Sequence, residues 1–280
     1  MTEAAVQRRF RQVDVFGAGP GQGNALAVVV DGDGLTTEQM QRFAAWTNLA
    51  ETTFLLPATA DGADYRVRIF TTATELAFAG HPTLGSAHAW LAAGGVPATA
   101  GRLVQECGVG LVELREDDDG GWAFAAPLLR RYEPPDDATL ARAADALGLA
   151  GDDVVAASWV DNGAPWLALR LRSAADVLDV RPRYERFGEL RLGVVAAPGT
   201  DGTDIEVRAF TVDGGEDPVT GSLNAGLARW LIDTGVVSAP YLAAQGAALG
   251  RAGRVRVTAD GGQLWVGGAA TTVVSGTVDL

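Results

Sequence analysis

Three side chains in this sequence stand where a proton could be moved: Glu51, His81 and Asp217. His81 and Asp217 each precede a proline, in Gly80-His81-Pro82-Thr83-Leu84-Gly85-Ser86 and in Glu216-Asp217-Pro218-Val219-Thr220-Gly221-Ser222. Proline suits the first position of a helix and a polar residue suits the cap before it, so each block predicts a helix start. Capping alone would account for these residues. The chemical reading is that a helix start offers unpaired N–H groups and the positive end of the dipole, both suited to a carboxylate. Glu51 lies in Asn48-Leu49-Ala50-Glu51-Thr52-Thr53-Phe54, where a helix gives way to a strand. Thr52 and Thr53 can hydrogen-bond it, and Phe54 and Leu55 can desolvate it. Desolvation lifts a carboxyl from about 4.3 toward the range of a general acid–base. The plain alternative is a solvated surface glutamate.

Composition removes most rival chemistries. All 22 basic residues among the 280 are arginine, which excludes a Schiff-base lysine and the lysine of a phosphate-binding P-loop. One cysteine, Cys107, allows neither a disulfide nor a thiol pair, and it reads as a small buried hydrophobe. Two histidines, His81 and His88, are too few for a three-histidine zinc site. A net charge of −13 argues against nucleic acid and against anionic membranes. The apolar fraction of 48% and charged fraction of 20% are those of a folded chain. The longest apolar run, Ala25 to Val30, is far short of a bilayer span, and no signal peptide is evident, so a cytoplasmic location is expected. The loop Gly17-Ala18-Gly19-Pro20-Gly21-Gln22-Gly23 lacks the GxGxxG spacing and leads into a strand instead of a helix, so it is not read as a nucleotide site.

The elements that must carry these residues alternate. Strand patterns run over Val13–Phe16, Ala25–Val30, Thr52–Leu56 and Tyr65–Phe70, and Thr36-x-x-Gln39 opens a helix to about Thr47. A helix is expected from Pro82 to Gly94-Gly95, followed by strands at Leu103–Cys107, Val109–Arg115 and Trp122–Ala126. Residues 127–137, with Pro134-Pro135, read as a linker. Beyond it a helix is expected at Ala138–Leu147 and strands at Val154–Trp159, Trp166–Leu171, Gly193–Ala197 and Ile205–Phe210. A further helix is expected to begin at Pro218, and three strand patterns fill Val255–Val278.

The halves repeat. Asp64-Tyr65-Arg66-Val67-Arg68-Ile69-Phe70-Thr71 matches Asp204-Ile205-Glu206-Val207-Arg208-Ala209-Phe210-Thr211 at an offset of 140, and Trp90-Leu91 matches Trp230-Leu231. Pro82-x-x-Gly85-Ser86 matches Pro218-x-x-Gly221-Ser222. Matches in order at nearly constant offset predict a duplicated unit, with His81 and Asp217 at equivalent positions.

Val13-Asp14-Val15-Phe16, Gly23-Asn24-Ala25-Leu26-Ala27-Val28, Glu51-Thr52-Thr53-Phe54, Phe78-Ala79-Gly80-His81-Pro82-Thr83-Leu84-Gly85 and Glu216-Asp217-Pro218-Val219-Thr220-Gly221-Ser222 resemble the phenazine-biosynthesis isomerase family, the PhzF-like proteins. The resemblance runs from Val13 to about Leu231. It departs from the usual pattern at Ala25, at Thr72 and at the bulky Leu223.

The resemblance implies an α+β, diaminopimelate-epimerase-like fold of two pseudo-symmetric domains. Each would wrap a mostly antiparallel sheet around a central helix, with the site in the cleft between them. Residues 1–128 with a returning strand at 268–280 would form one domain and residues 129–267 the other. It implies Glu51 as the proton-shuttling acid–base, with His81 and Asp217 as polar partners. Asn24, Gly80, Gly221 and Ser222 would be substrate-binding. No cofactor and no metal are implied. A small-molecule carboxylate substrate and a homodimer are expected. The activity implied is a cofactor-independent isomerisation that moves a proton as a double bond migrates. An amino-acid or hydroxy-acid epimerase is the alternative enzyme, and a small-acid-binding dimer without turnover is the non-enzymatic one.

Overall fold

Thr36 and Gln39 close a full capping box at the start of α1 (Thr37–Thr47): the threonine hydroxyl accepts from the Gln39 N–H, and the Gln39 side chain accepts from the Thr36 N–H. This and the other elements come from a computed structural model that describes residues 6–117, 120–212 and 215–280. The chain is sheet-rich α+β. Two units separate by their internal contacts, one running to Ala125 and including Gly267–Leu280, the other Ala126–Val266.

The first unit holds β1 (Gln7–Val15), β2 (Asn24–Val29), α1, β3 (Glu51–Leu56), β4 (Tyr65–Phe70), β5 (Glu75–Leu76), α2 (Gly80–Ala92), β6 (Arg102–Cys107), β7 (Gly110–Glu116) and β8 (Trp122–Ala125). The second holds β9 (Arg131–Glu133), α3 (Asp137–Leu147), β10 (Val154–Asp161), β11 (Trp166–Leu171), α4 (Ala174–Asp179), β12 (Arg191–Ala196), β13 (Ile205–Phe210), β14 (Glu216–Asp217), α5 (Gly221–Asp233), β15 (Tyr241–Gln245), β16 (Gly253–Asp260) and most of β17 (Gln263–Gly268). The last strand, β18 (Ala270–Asp279), pairs with β1.

The two ladders follow one plan. In the first unit β1–β2 is antiparallel, β2–β3 parallel, β3–β4 antiparallel, β4–β6 parallel and β6–β7 antiparallel. In the second, β10–β11, β11–β12, β12–β13, β13–β15 and β15–β16 repeat that alternation. The repeated Asp-x-x-x-Arg-x-Phe-Thr segments become β4 and β13, the strands at the middle of each ladder.

Within each ladder lies a helix that is buried on nearly all sides. Nine of the thirteen residues of α2 are buried, and the helix touches β1, β2, β3, β6, β8 and β18, so the first unit's sheet curls around it. Small residues make the close approach possible. A Cβ on Gly85 would come within 2.6 Å of Leu26, and one on Gly226 of α5 within 2.6 Å of the Val160 carbonyl. The outer faces carry separate apolar clusters. Met40, Phe43 and Ala44 of α1 cover Phe54 and Phe70, while Leu147, Val177, Phe187 and Phe210 centre the other.

Three expectations are corrected. The segment 127–137 contains β9, paired with β10, because its backbone finds a ladder partner. Pro82 is the third residue of α2, not the first; no helical bond needs its missing N–H there, because the first turn's N–H groups have no carbonyl partner. Pro218 lies outside α5, which begins at Gly221. The short strands β5 and β14, helix α4 and strand β15 have no strong local pattern and were not expected. Among the described residues no helix is long and apolar enough to cross a membrane.

Candidate active site

In the first unit, parallel pairing puts the starts of two strands at the same end of the sheet. Asn24 opens β2 opposite Val15, and Glu51 opens β3 opposite Leu26. His81, the second residue of α2, reaches both. Its Nε2 lies 3.2 Å from Glu51 Oε2, and its Nδ1 lies 3.3 Å from Asn24 Nδ2. An amide nitrogen only donates, so Nδ1 accepts and the neutral ring carries its proton on Nε2, facing the carboxylate. The Nε2–Oε2 approach is a close contact without hydrogen-bond alignment, near enough for exchange once the N–H turns onto the oxygen.

Burial pushes the His81 ring down to about 3. The adjacent carboxylate pulls the other way, but the side chain is only 5% exposed and burial dominates. The ring is therefore neutral at neutral pH. A folded-state value below the unfolded value of about 6.5 means that the unfolded chain binds the extra proton between them. Stability should fall as pH drops from 6.5 toward 3, by up to about 1.4 kcal/mol per pH unit from this group. Urea unfolding at several pH values will measure the slope, and His81→Gln should flatten it; an unchanged slope in that variant would assign the effect elsewhere.

Hydroxyl and amide pairs hold the helix behind the site. Ser86 donates to Thr53 at 2.9 Å, and the Gln105 side chain donates to Thr83 at 3.0 Å, all four residues being buried. Gly80 is the first residue of α2, whose cap residue Ala79 supplies no side-chain hydrogen bond. The same holds at α5, where Gly221 is first and Thr220 makes no side-chain cap. By contrast α1, α3 and α4 are capped by Thr36, Asp136 and Ser173. Among the described residues, the two helices buried within their sheets are the ones of α1–α5 whose cap residues make no side-chain hydrogen bond, which suits their N–H ends to another acceptor.

In the second unit Asp217 belongs to β14, not to a helix cap. Its Oδ2 accepts from Thr220 Oγ1 at 2.7 Å, and its carbonyl accepts from the Gln245 side chain at 3.0 Å. Gln245 also accepts from the Thr220 N–H and from Asn224 Nδ2. Ser222 is the second residue of α5; its hydroxyl accepts from Trp166 Nε1 at 2.9 Å and its carbonyl from Asn162 Nδ2 at 2.8 Å. Leu223 points into the core above Gly193, which has no side chain to fill that space.

These placements correct the expected equivalence of His81 and Asp217. Helix starts align Gly80 with Gly221 and His81 with Ser222. The hairpin pairings align Glu75 with Glu216, and hence Leu76 with Asp217. Gln105 was missed as a partner of α2, and Trp166 and Gln245 were missed as partners of Ser222 and Asp217. Gln105 and Gln245 carried a signal: they are 140 apart, the offset of the repeat.

Residues 13–276 match the family described as phenazine biosynthesis-like protein, PhzC-PhzF. The chain belongs to this family. Relatives within reach of its whole length include antisense-enhancing sequence 1 of Schizosaccharomyces pombe, 34% identical over 96% of this chain and 98% of that protein. The trans-2,3-dihydro-3-hydroxyanthranilate isomerase of Pseudomonas aeruginosa is 33% identical, over 90% of this chain and 91% of its own. Among solved structures, a PhzF-family phenazine biosynthesis protein of Bacillus anthracis shares the fold, with a TM-score of 0.81 at 23% identity over 98% of this chain and 99% of that one.

Proposed function

We propose that this PhzF-family protein is a cofactor-independent isomerase acting on a small carboxylate, with Glu51 as its acid–base. The observation that carries the reading is the meeting of Glu51, His81 and Asn24 at the start of α2, where no side chain of the cap residue is bound. A neutral ring with its proton on Nε2 leaves the carboxylate as the base. The N–H groups at the start of α2 suit a substrate carboxylate, where they would stabilise charge as the neighbouring carbon loses its proton. Glu51 takes a proton from one carbon, the double bond shifts, and the same carboxyl returns the proton to another carbon. The isomerase name of the Pseudomonas aeruginosa relative supports the reaction class. Asp217, Gly221 and Ser222 enter the proposal through the family motif, as a polar partner and as substrate contacts.

An epimerase needs two bases with the carbon between them. Glu51 and His81 touch, so as a pair they serve one face, which favours isomerisation. An epimerase would need Asp217 as its second base.

The test is a screen of small carboxylated metabolites in deuterium oxide, read by mass spectrometry and NMR. Deuterium delivered to a new carbon supports isomerisation. Label at an inverted stereocentre would establish the epimerase, and ligand-induced thermal stabilisation with neither carbon-bound label nor any change in the ligand's NMR spectrum would establish a binding protein.

A further inference from the structure

The buried Asp14 has no part in the chemistry above, yet it lies one bond network away from it. It sits in β1 at 4% exposure, between Val13 and Val15, beside a bulge in the β1–β18 pairing at Gln12/Val13. Bulges re-aim side chains. Both Asp14 carboxylate oxygens accept from the Gly23 N–H, at 3.0 and 2.9 Å, and Oδ2 also accepts from the Gln22 N–H at 3.1 Å. The glycine-rich loop 17–23 thus closes over this carboxylate. Gly17 has to be glycine for it, since a Cβ there would stand 2.3 Å from Asp14 Oδ2. The next residue after Gly23 is Asn24, whose amide meets His81 Nδ1.

We propose that Asp14 is a positioning residue: by pinning Gln22 and Gly23 it aims the Asn24 amide at His81 and so sets the tautomer that puts the ring proton on Nε2, toward Glu51. The residue touches no reacting atom. It acts through two backbone N–H groups, one side-chain amide and one imidazole. The catalytic value of that tautomer rests on the function proposed above; the tautomer itself does not. Which ring nitrogen carries the proton is set by the hydrogen bond that the other one makes. Releasing Asn24 removes its hydrogen bond to Nδ1 and lets the Nδ1–H form compete.

The chain has two histidines, so long-range proton–nitrogen correlation of the ¹⁵N-labelled protein reads both rings separately. The unaltered protein should show His81 as the Nε2–H tautomer. Asp14→Asn offers the Gly23 N–H one acceptor oxygen in place of two, and the Nδ1–H population of His81 should rise severalfold. Gly17→Ala sets a Cβ 2.3 Å from Asp14 Oδ2 and 2.8 Å from both the Gly23 nitrogen and the Gly19 carbonyl, so it forces the carboxylate and the Gly23 N–H apart without removing either and should do the same; it decides the matter if Asp14→Asn does not fold. His88, held by Thr272 in the same unit, should be unchanged and reports that the fold is intact. Folded Asp14→Asn and Gly17→Ala proteins that keep a single Nε2–H tautomer overturn the proposal. So does a tautomer change in Asn24→Ala that neither of them reproduces. Deuterium uptake independent of Glu51 would end the isomerase mechanism while leaving this measurement standing.

Discussion

Glu51→Gln is expected to lower turnover of whichever carboxylate takes up deuterium by about 10²–10⁴, the usual contribution of a positioned acid–base group. Glutamine keeps the length, the shape and the capacity to meet the His81 N–H, but it cannot accept a proton from carbon. Substrate affinity should change little, because the N–H groups of α2 are untouched. Thermal unfolding should also change little, since Glu51 is a partly exposed residue at the start of β3. Turnover that stayed within about tenfold of the original would remove Glu51 from the role of base. His81→Gln should cost less, because the ring orients the carboxylate and does not replace it.

The second large effect concerns stability. Arg208 and Glu216 form a two-pronged pair, Nε to Oε1 at 2.9 Å and one terminal nitrogen to Oε2 at 2.8 Å, with side chains only 5% and 6% exposed. The other terminal nitrogen donates to the carbonyls of Val177, Leu178 and Val180 at the end of α4, and the guanidinium lies over Phe210. Arg68 and Glu75 make the same pair in the first unit, with Arg68 over Phe70, but Glu75 is 39% exposed. Glu216→Ala strands a buried cation and should cost about 3–5 kcal/mol. Glu75→Ala leaves a cation that water can reach and should cost about 1 kcal/mol or less. Urea denaturation of the two variants gives the comparison. Equal losses would mean that burial does not set the value of this pair. Because β14 holds only Glu216 and Asp217, loss of Glu216 should also loosen Asp217.

The elements legible in the sequence were those whose cause is local. Tyr65–Phe70 alternates apolar and arginine residues and forms β4 over that same span. The capping pair Thr36 and Gln39 starts α1 where expected. Glu51, His81 and Asn24 were legible as individual residues through their family motifs, and their meeting point follows from the parallel β2–β3 pairing.

The error at Pro218 has a different origin. Asp217-Pro218 carries the local signal of a helix start. In the fold, Phe210 and Ala209 of β13 pair with Glu216 and Asp217, and Glu216 is held by a buried arginine. That ladder commits the backbone to a strand, and the helix waits until Gly221, where the Asn224 N–H finds the Thr220 carbonyl. A similar limit hid Asp14: a lone acid in an apolar strand gives no sign of which N–H groups it will meet. By itself, the sequence determined the family, the repeat, most of the longer elements and which side chains could move a proton. The tertiary structure decided where α5 begins, that Ser222 and not Asp217 stands at the place of His81, and which ring nitrogen faces Glu51. The first two follow from the β13–β14 ladder and the buried Arg208–Glu216 pair, whose burial comes from packing by distant segments, and the third from the meeting of Asn24 and His81, which lie 57 residues apart in the chain.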